Sequence, residues 1–102
     1  MNKKDVGFAG LGWYLPEEAI SAVELARREG MSEELCHRLG YDRITLAREE
    51  LLPSDMAVLA SRRALQDAGL APEAIDVIIY CGTFKDHSRW QASNKVQAEL
   101  EA

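Results

Sequence analysis

The apolar run at residues 77–81 (VIIYC) constrains the fold of this chain more than any other feature. Consecutive apolar residues without alternation are typical of a strand that is covered on both faces, as in parallel sheets with crossover helices. Residues 6–11 (VGFAGL) predict a second buried strand, whose glycines let another backbone come close. With helices between them, these strands predict an α/β fold with a mostly parallel sheet.

Two short helices are predicted between these strands by the residues at their ends. Ser21 with Glu24 three positions later has the pattern of a capping box, which predicts a helix over residues 22–29. Ser32 as the N-cap and Gly40 as a left-handed C-cap predict a second helix directly afterwards.

The longest helix follows a weak alternation at residues 41–47, which predicts a short edge strand. Ser54 is the predicted N-cap of this helix and Gly69 its C-cap. One face carries small residues at three- and four-residue spacing, which lets a helix approach a sheet closely: Ala57, Ala60, Ala64 and Ala68. A final helix is predicted to start near Ala92 or Ser93.

The acidic balance of the chain limits its partners. The 17 acidic and 12 basic residues give a net charge of −5, which argues against nucleic-acid binding through phosphate neutralisation. No stretch approaches the ~18 apolar residues of a membrane-spanning helix. Cys36 and Cys81 lie far apart, as is typical of reduced thiols, and the first residues lack the apolar region of a secretory signal. We therefore expect a cytoplasmic protein that binds neither nucleic acid nor membrane.

The predicted sheet needs more covering elements than this chain supplies. An apolar strand buried on both faces requires neighbouring strands and helices on each side. We therefore expect residues 1–102 to be an incomplete amino-terminal segment of a larger domain. The isolated chain should be an oligomer, such as a homodimer, or poorly folded, and further polypeptide should complete it.

Several residue groups suggest chemistry, but each has a plainer interpretation. Residues 7–12 place glycines in the reverse order of a dinucleotide fingerprint, and no helix follows them. Cys36 and His37 are helix neighbours that point about 100° apart, so they do not form a nucleophile and its base. Cys81 ends the predicted strand, yet buried inert thiols are commoner than reactive ones. Residues 86–87 (DH) fit a solvated loop pair, and no spacing fits a zinc site.

The order of the motifs resembles that of a known family. Residues 6–16 (VGFAGLGWYLP) resemble the G-x-G-x-Y-L-P opening of the ketoacyl-ACP synthase III family, among the thiolase-like condensing enzymes. Residues 54–70 are similar to its S-D-M-A…A-L-x-D-A-G-L helix, and residues 74–79 to its I-D-x-I-I strand. Arg38 precedes a glycine as in its R-x-G-I motif. The resemblance implies that the chain is the amino-terminal part of a thiolase-like layered fold.

The resemblance also implies an activity, the decarboxylative Claisen condensation of an acyl thioester with a malonyl thioester. In the family a Cys takes the acyl group, while His and Asn assist decarboxylation. All three positions lie beyond the part matched here, so no catalytic residue is assigned, and this excludes the Cys and His residues of the chain: Cys36, His37, Cys81 and His87. The implied partners are an acyl carrier protein or acyl-coenzyme A, and the thioester is a substrate, not a covalently bound cofactor.

Arg38 is the one binding residue that the resemblance implies. It matches an Arg that grips the adenine of coenzyme A together with a Trp four residues earlier. Glu34 occupies that Trp position here, and we expect it to pair with Arg38 along the helix. An anionic side chain cannot stack on adenine, which favours a divergent enzyme that uses a carrier protein or a different acyl donor.

Two other kinds of function fit the same sequence. One is a non-catalytic structural or interaction partner of a condensing enzyme, and the other is a small self-contained oligomerising module. A Cys after a strand and then a distant His and Asn, encoded downstream of residue 102, would favour the enzyme. A continuing fold without these residues would favour the partner, and a stop codon the module.

Overall fold

The computed structural model describes residues 5–83 and 91–102. The chain divides into two compact units, one formed by residues Leu15–Glu50 and the other by Met1–Tyr14 together with Leu51–Ala102. Among the described residues, no helix has the length and apolar character needed to cross a membrane.

The Leu15–Glu50 unit is a two-stranded sheet with two short helices between its strands. The first strand, β1, is Glu18–Ser21, and it leads directly into the first helix, α1, at Ala22–Arg28. The second helix, α2, is Glu33–Leu39, and the second strand, β2, is Arg43–Leu46. The strands pair antiparallel, with Glu18 opposite Leu46 and Ser21 opposite Arg43.

Local capping explains where α1 and α2 begin. Ser21 Oγ accepts a hydrogen bond from Glu24 N at 3.4 Å, and Ser32 Oγ accepts one from Leu35 N at 3.3 Å. Gly40 ends α2 in the left-handed conformation, with φ +75°. The two predicted helices and the edge strand are therefore confirmed. Strand β1 was not predicted, because its four residues (EAIS) do not alternate between apolar and polar, and only Ile20 is buried.

The second unit is built on two helices, α3 at Pro53–Ala68 and α4 at Ala92–Leu100. Their core consists of Val58, Val96 and Leu100, and it is extended by partly buried side chains that include Leu65, Ile78 and Tyr80. The partly buried ion pair between Lys95 Nζ and Asp55 Oδ1, at 3.0 Å, also joins the helices. Apolar burial and a charge-assisted bond thus act together to hold α4 against α3.

Helix α3 begins earlier than the sequence predicts. Ser54 is the expected N-cap, but Leu52 holds that position, Pro53 is the first helical residue and Ser54 is fully buried. The fixed φ of proline suits the first helical position. Asp55 Oδ2 accepts a hydrogen bond from Leu52 N at 2.9 Å, which satisfies the backbone donor of the N-cap residue.

The glycine-rich amino-terminal segment, residues 6–14, crosses α3 at very close range at Gly10 and Gly12. A Cβ built on Gly12 would lie 2.3 Å from both Ala60 O and Ala64 N, and one on Gly10 would lie 2.6 Å from Ala64 O. Side chains larger than hydrogen therefore have no room at either glycine. This contact confirms the prediction that the glycines of this segment mark a close approach of another backbone, and the small residues of α3 supply the other surface.

The two predicted buried strands are not strands among the described residues. Val77 and Ile79 are 75% and 84% exposed, whereas Ile78 and Tyr80 pack on the core of α3 and α4. Residues 6–11 are also unpaired, and their large side chains are exposed. The prediction of burial on both faces is wrong here, because the described residues provide helices on one face and no strand or helix on the other. The only described sheet is antiparallel, so a mostly parallel sheet is not confirmed.

We predict that Gly12→Ala destabilises the protein by about 1–3 kcal/mol, the usual range for overpacking a close contact. The new methyl group would overlap the backbone of α3, which cannot move without bending the helix. Gly7→Ala is the matched control, because a Cβ there has no neighbouring atom within 4 Å. Urea unfolding measures both variants, and equal midpoints would contradict the close contact.

Candidate functional site

Helix α2 presents the predicted binding residue on an open surface. None of its residues is buried, and Arg38 is exposed in its last turn. Among the described residues, Arg38 has no hydrogen bond or ion pair, so the expected pairing with Glu34 is not found. The guanidinium group is consequently available to an anion from solvent.

The surface next to Arg38 combines charge with apolar area. Residues three or four positions apart lie on the same side of a helix, so Arg38 is beside both Glu34 and Leu35. Leu35 and Leu39 are 40% and 58% exposed, and Tyr41, just beyond the helix, is 57% exposed. This arrangement can contact a molecule with an anionic group and an apolar body, although the carboxylate of Glu34 weakens its attraction for anions.

Two contacts hold α2 against α1. Arg27 Nε donates a short hydrogen bond to Glu33 Oε1, and Arg27 also reaches Glu33 Oε2 at 3.5 Å. This side-chain hydrogen bond lowers the pKa of the Glu33 carboxyl and raises the pKa of Arg27. Cys36 Sγ donates to Ala22 O at 3.6 Å. Together they fix the orientation from which Arg38 projects.

The thiols and imidazoles are not assembled for catalysis in the described part of the chain. Cys36 is half-buried and bonded to a backbone carbonyl, while His37 is exposed, as predicted for neighbours on a helix. Cys81 is a free, exposed thiol, not the buried one expected. The residues of the loop pair at 86–87 lie outside the described residues, as do Phe84 and Trp90. Within the described ranges, no three His, Cys, Asp or Glu side chains cluster as metal ligands.

Two residues of α3 for which the sequence predicted no role hold the amino-terminal segment. Asp67 Oδ2 accepts a hydrogen bond from Leu11 N at 3.0 Å, and Arg63 donates to Trp13 O at 2.8 Å. The Arg63 guanidinium also lies 5.6 Å from the centre of the Tyr14 ring. These contacts join positions about fifty residues apart, so no local pattern indicates them. They hold residues 11–14 against α3, on either side of Gly12.

Several known proteins are similar to this chain in sequence or in structure. No protein-family model matches it. A beta-ketoacyl-[acyl-carrier-protein] synthase III of Cereibacter sphaeroides is 39% identical over 92 residues, which are 89% of this chain and 28% of that protein. The 3-oxoacyl-(acyl carrier protein) synthase III of Pseudomonas aeruginosa is a structural neighbour with a TM-score of 0.74 and 31% identity, covering 91% of this chain and 28% of that one.

A second solved structure is closer in shape. The priming beta-ketosynthase from the R1128 polyketide biosynthetic pathway has a TM-score of 0.80 and 28% identity, over 92% of this chain and 28% of that chain. The chain therefore spans less than a third of the length of these relatives. Their number and agreement confirm the resemblance to the ketoacyl-ACP synthase III family and the thiolase-like character of the segment.

We predict that the Glu33 carboxyl titrates below the ordinary glutamate pKa of about 4.3. Arg27 stabilises the charged form, so this stabilisation is present above the ordinary pKa and disappears as the pH falls through the lowered value. NMR titration of the carboxyl carbon should show the shift, and Arg27→Gln should remove it. Arg28→Gln is the control, because Arg28 pairs with Glu24. An unchanged Glu33 pKa in Arg27→Gln would contradict the assignment.

Proposed function

We propose that residues 1–102 are the amino-terminal segment of a thiolase-like acyltransferase similar to ketoacyl-ACP synthase III. The observation that carries this proposal is the agreement of sequence and shape with such enzymes over nine-tenths of the chain. The proposed reaction is a decarboxylative Claisen condensation. An acyl group moves from its thioester to an enzyme thiol, a malonyl thioester loses CO₂, and the resulting carbanion attacks the acyl carbon to give a 3-oxoacyl thioester.

The role of this segment in that reaction is to bind and to support. Neither Cys36 nor Cys81 is hydrogen-bonded to a described base, which fits a nucleophile supplied by later residues. Reading the gene downstream of residue 102 tests the proposal directly. We expect a Cys after a strand, then a distant His and Asn. A continuing fold without them would instead favour a non-catalytic partner, and a stop codon a small oligomerising module.

Arg38 is the residue that we assign to donor binding. Its exposed, unpaired guanidinium suits the phosphate groups of coenzyme A or of the phosphopantetheine arm of an acyl carrier protein. Glu34 lies one turn away, and its carboxylate repels phosphate. It also cannot stack on adenine as an aromatic side chain would, so the donor is bound differently. The thioester is a substrate in this proposal, and no resident cofactor takes part.

Further polypeptide completes the sheet in our proposal. The outward side chains of two unpaired segments are almost fully exposed, with Val6 at 96%, Phe8 at 94% and Ile79 at 84%. Exposed apolar surface is unfavourable by roughly 25 cal/mol per Å², and stable monomers seldom leave large patches uncovered. Later residues of the same protein, or a second copy in a homodimer, would cover this surface and complete a mostly parallel sheet. A cytoplasmic location is part of the proposal and agrees with the two free thiols.

We predict that the chain by itself is not acylated by acyl-coenzyme A. Intact-mass measurement after incubation should show no added acyl group, because neither thiol has a described activating base. Iodoacetamide provides the control, since it should label the exposed Cys81 and so show that the thiol is accessible. Stoichiometric acylation of Cys36 or Cys81 would contradict the proposal.

We predict that Arg38→Ala raises the KM for the acyl donor in the complete enzyme, with little change in kcat. The loss of a hydrogen bond to a charged group is typically about 1.5–3 kcal/mol, which corresponds to roughly a 10- to 100-fold change. Arg28→Ala is the control, because Arg28 is also exposed but already pairs with Glu24. Equal KM values for the Arg38→Ala variant and the parent enzyme would show that Arg38 does not bind the donor.

We predict that the isolated chain associates or is loosely packed. Sedimentation equilibrium and near-UV circular dichroism should show an oligomer or a weak aromatic signal at micromolar concentration. Replacing both Val77 and Ile79 with Lys should reduce association without unfolding, because these side chains point away from the core. Ile78→Lys is the contrasting variant. Ile78 packs on the core, so this substitution should unfold the unit. A rigid, well-packed monomer of the parent chain would contradict the prediction.

A further inference from the structure

We draw no further inference here: the strongest candidate, the exposed apolar surface of α2 formed by Leu35 and Leu39 beside Tyr41, carries none because nothing in the structure shows what covers it.

Discussion

The close passage of the glycine-rich segment over α3 is the contact on which the second unit depends. Gly10 and Gly12 let one backbone lie directly on another, and the alanines of α3 leave the space for it. Asp67 and Arg63 then bind the segment through polar contacts. Since the opposite side of α3 packs on α4, this helix is covered from two directions and organises the surrounding residues.

The two units make different contributions to the proposed enzyme. In the first unit, α2 exposes Arg38 and an apolar surface, and the contacts of Glu33 with Arg27 and of Cys36 with Ala22 set its orientation against α1. The second unit instead exposes apolar side chains, such as Val77 and Ile79, on residues that form no strand among those described. In the proposed enzyme, the surface of α2 would bind the acyl donor, and the exposed apolar side chains of residues 77–79 would associate with further polypeptide.

Local signals allowed the helices to be predicted, but not the two segments that were expected to be buried strands. Caps such as Ser21, Ser32 and Gly40 act within a few residues, so helix positions could be derived from sequence. The burial of residues 77–81 could not be predicted from sequence, because it depends on the elements that pack against them. The described residues cover only one of their two faces. For the candidate site, the position of Arg38 on the second helix was predicted from the sequence, but the absence of a Glu34 contact was not. It depends on side-chain conformation, and pairs in water are weak.

The geometry at Gly12 also limits how this protein can change over evolution. The nearest atoms to a Cβ at Gly12 are backbone atoms of Ala60 and Ala64, not side-chain atoms. A clash with a side chain can be relieved by shortening that side chain, but every residue type carries the same backbone oxygen and nitrogen. No second-site substitution on α3 can therefore create space for a larger residue at position 12. A larger residue at position 12 therefore cannot be reached through single compensating substitutions. It becomes possible only if the whole segment moves away from the helix.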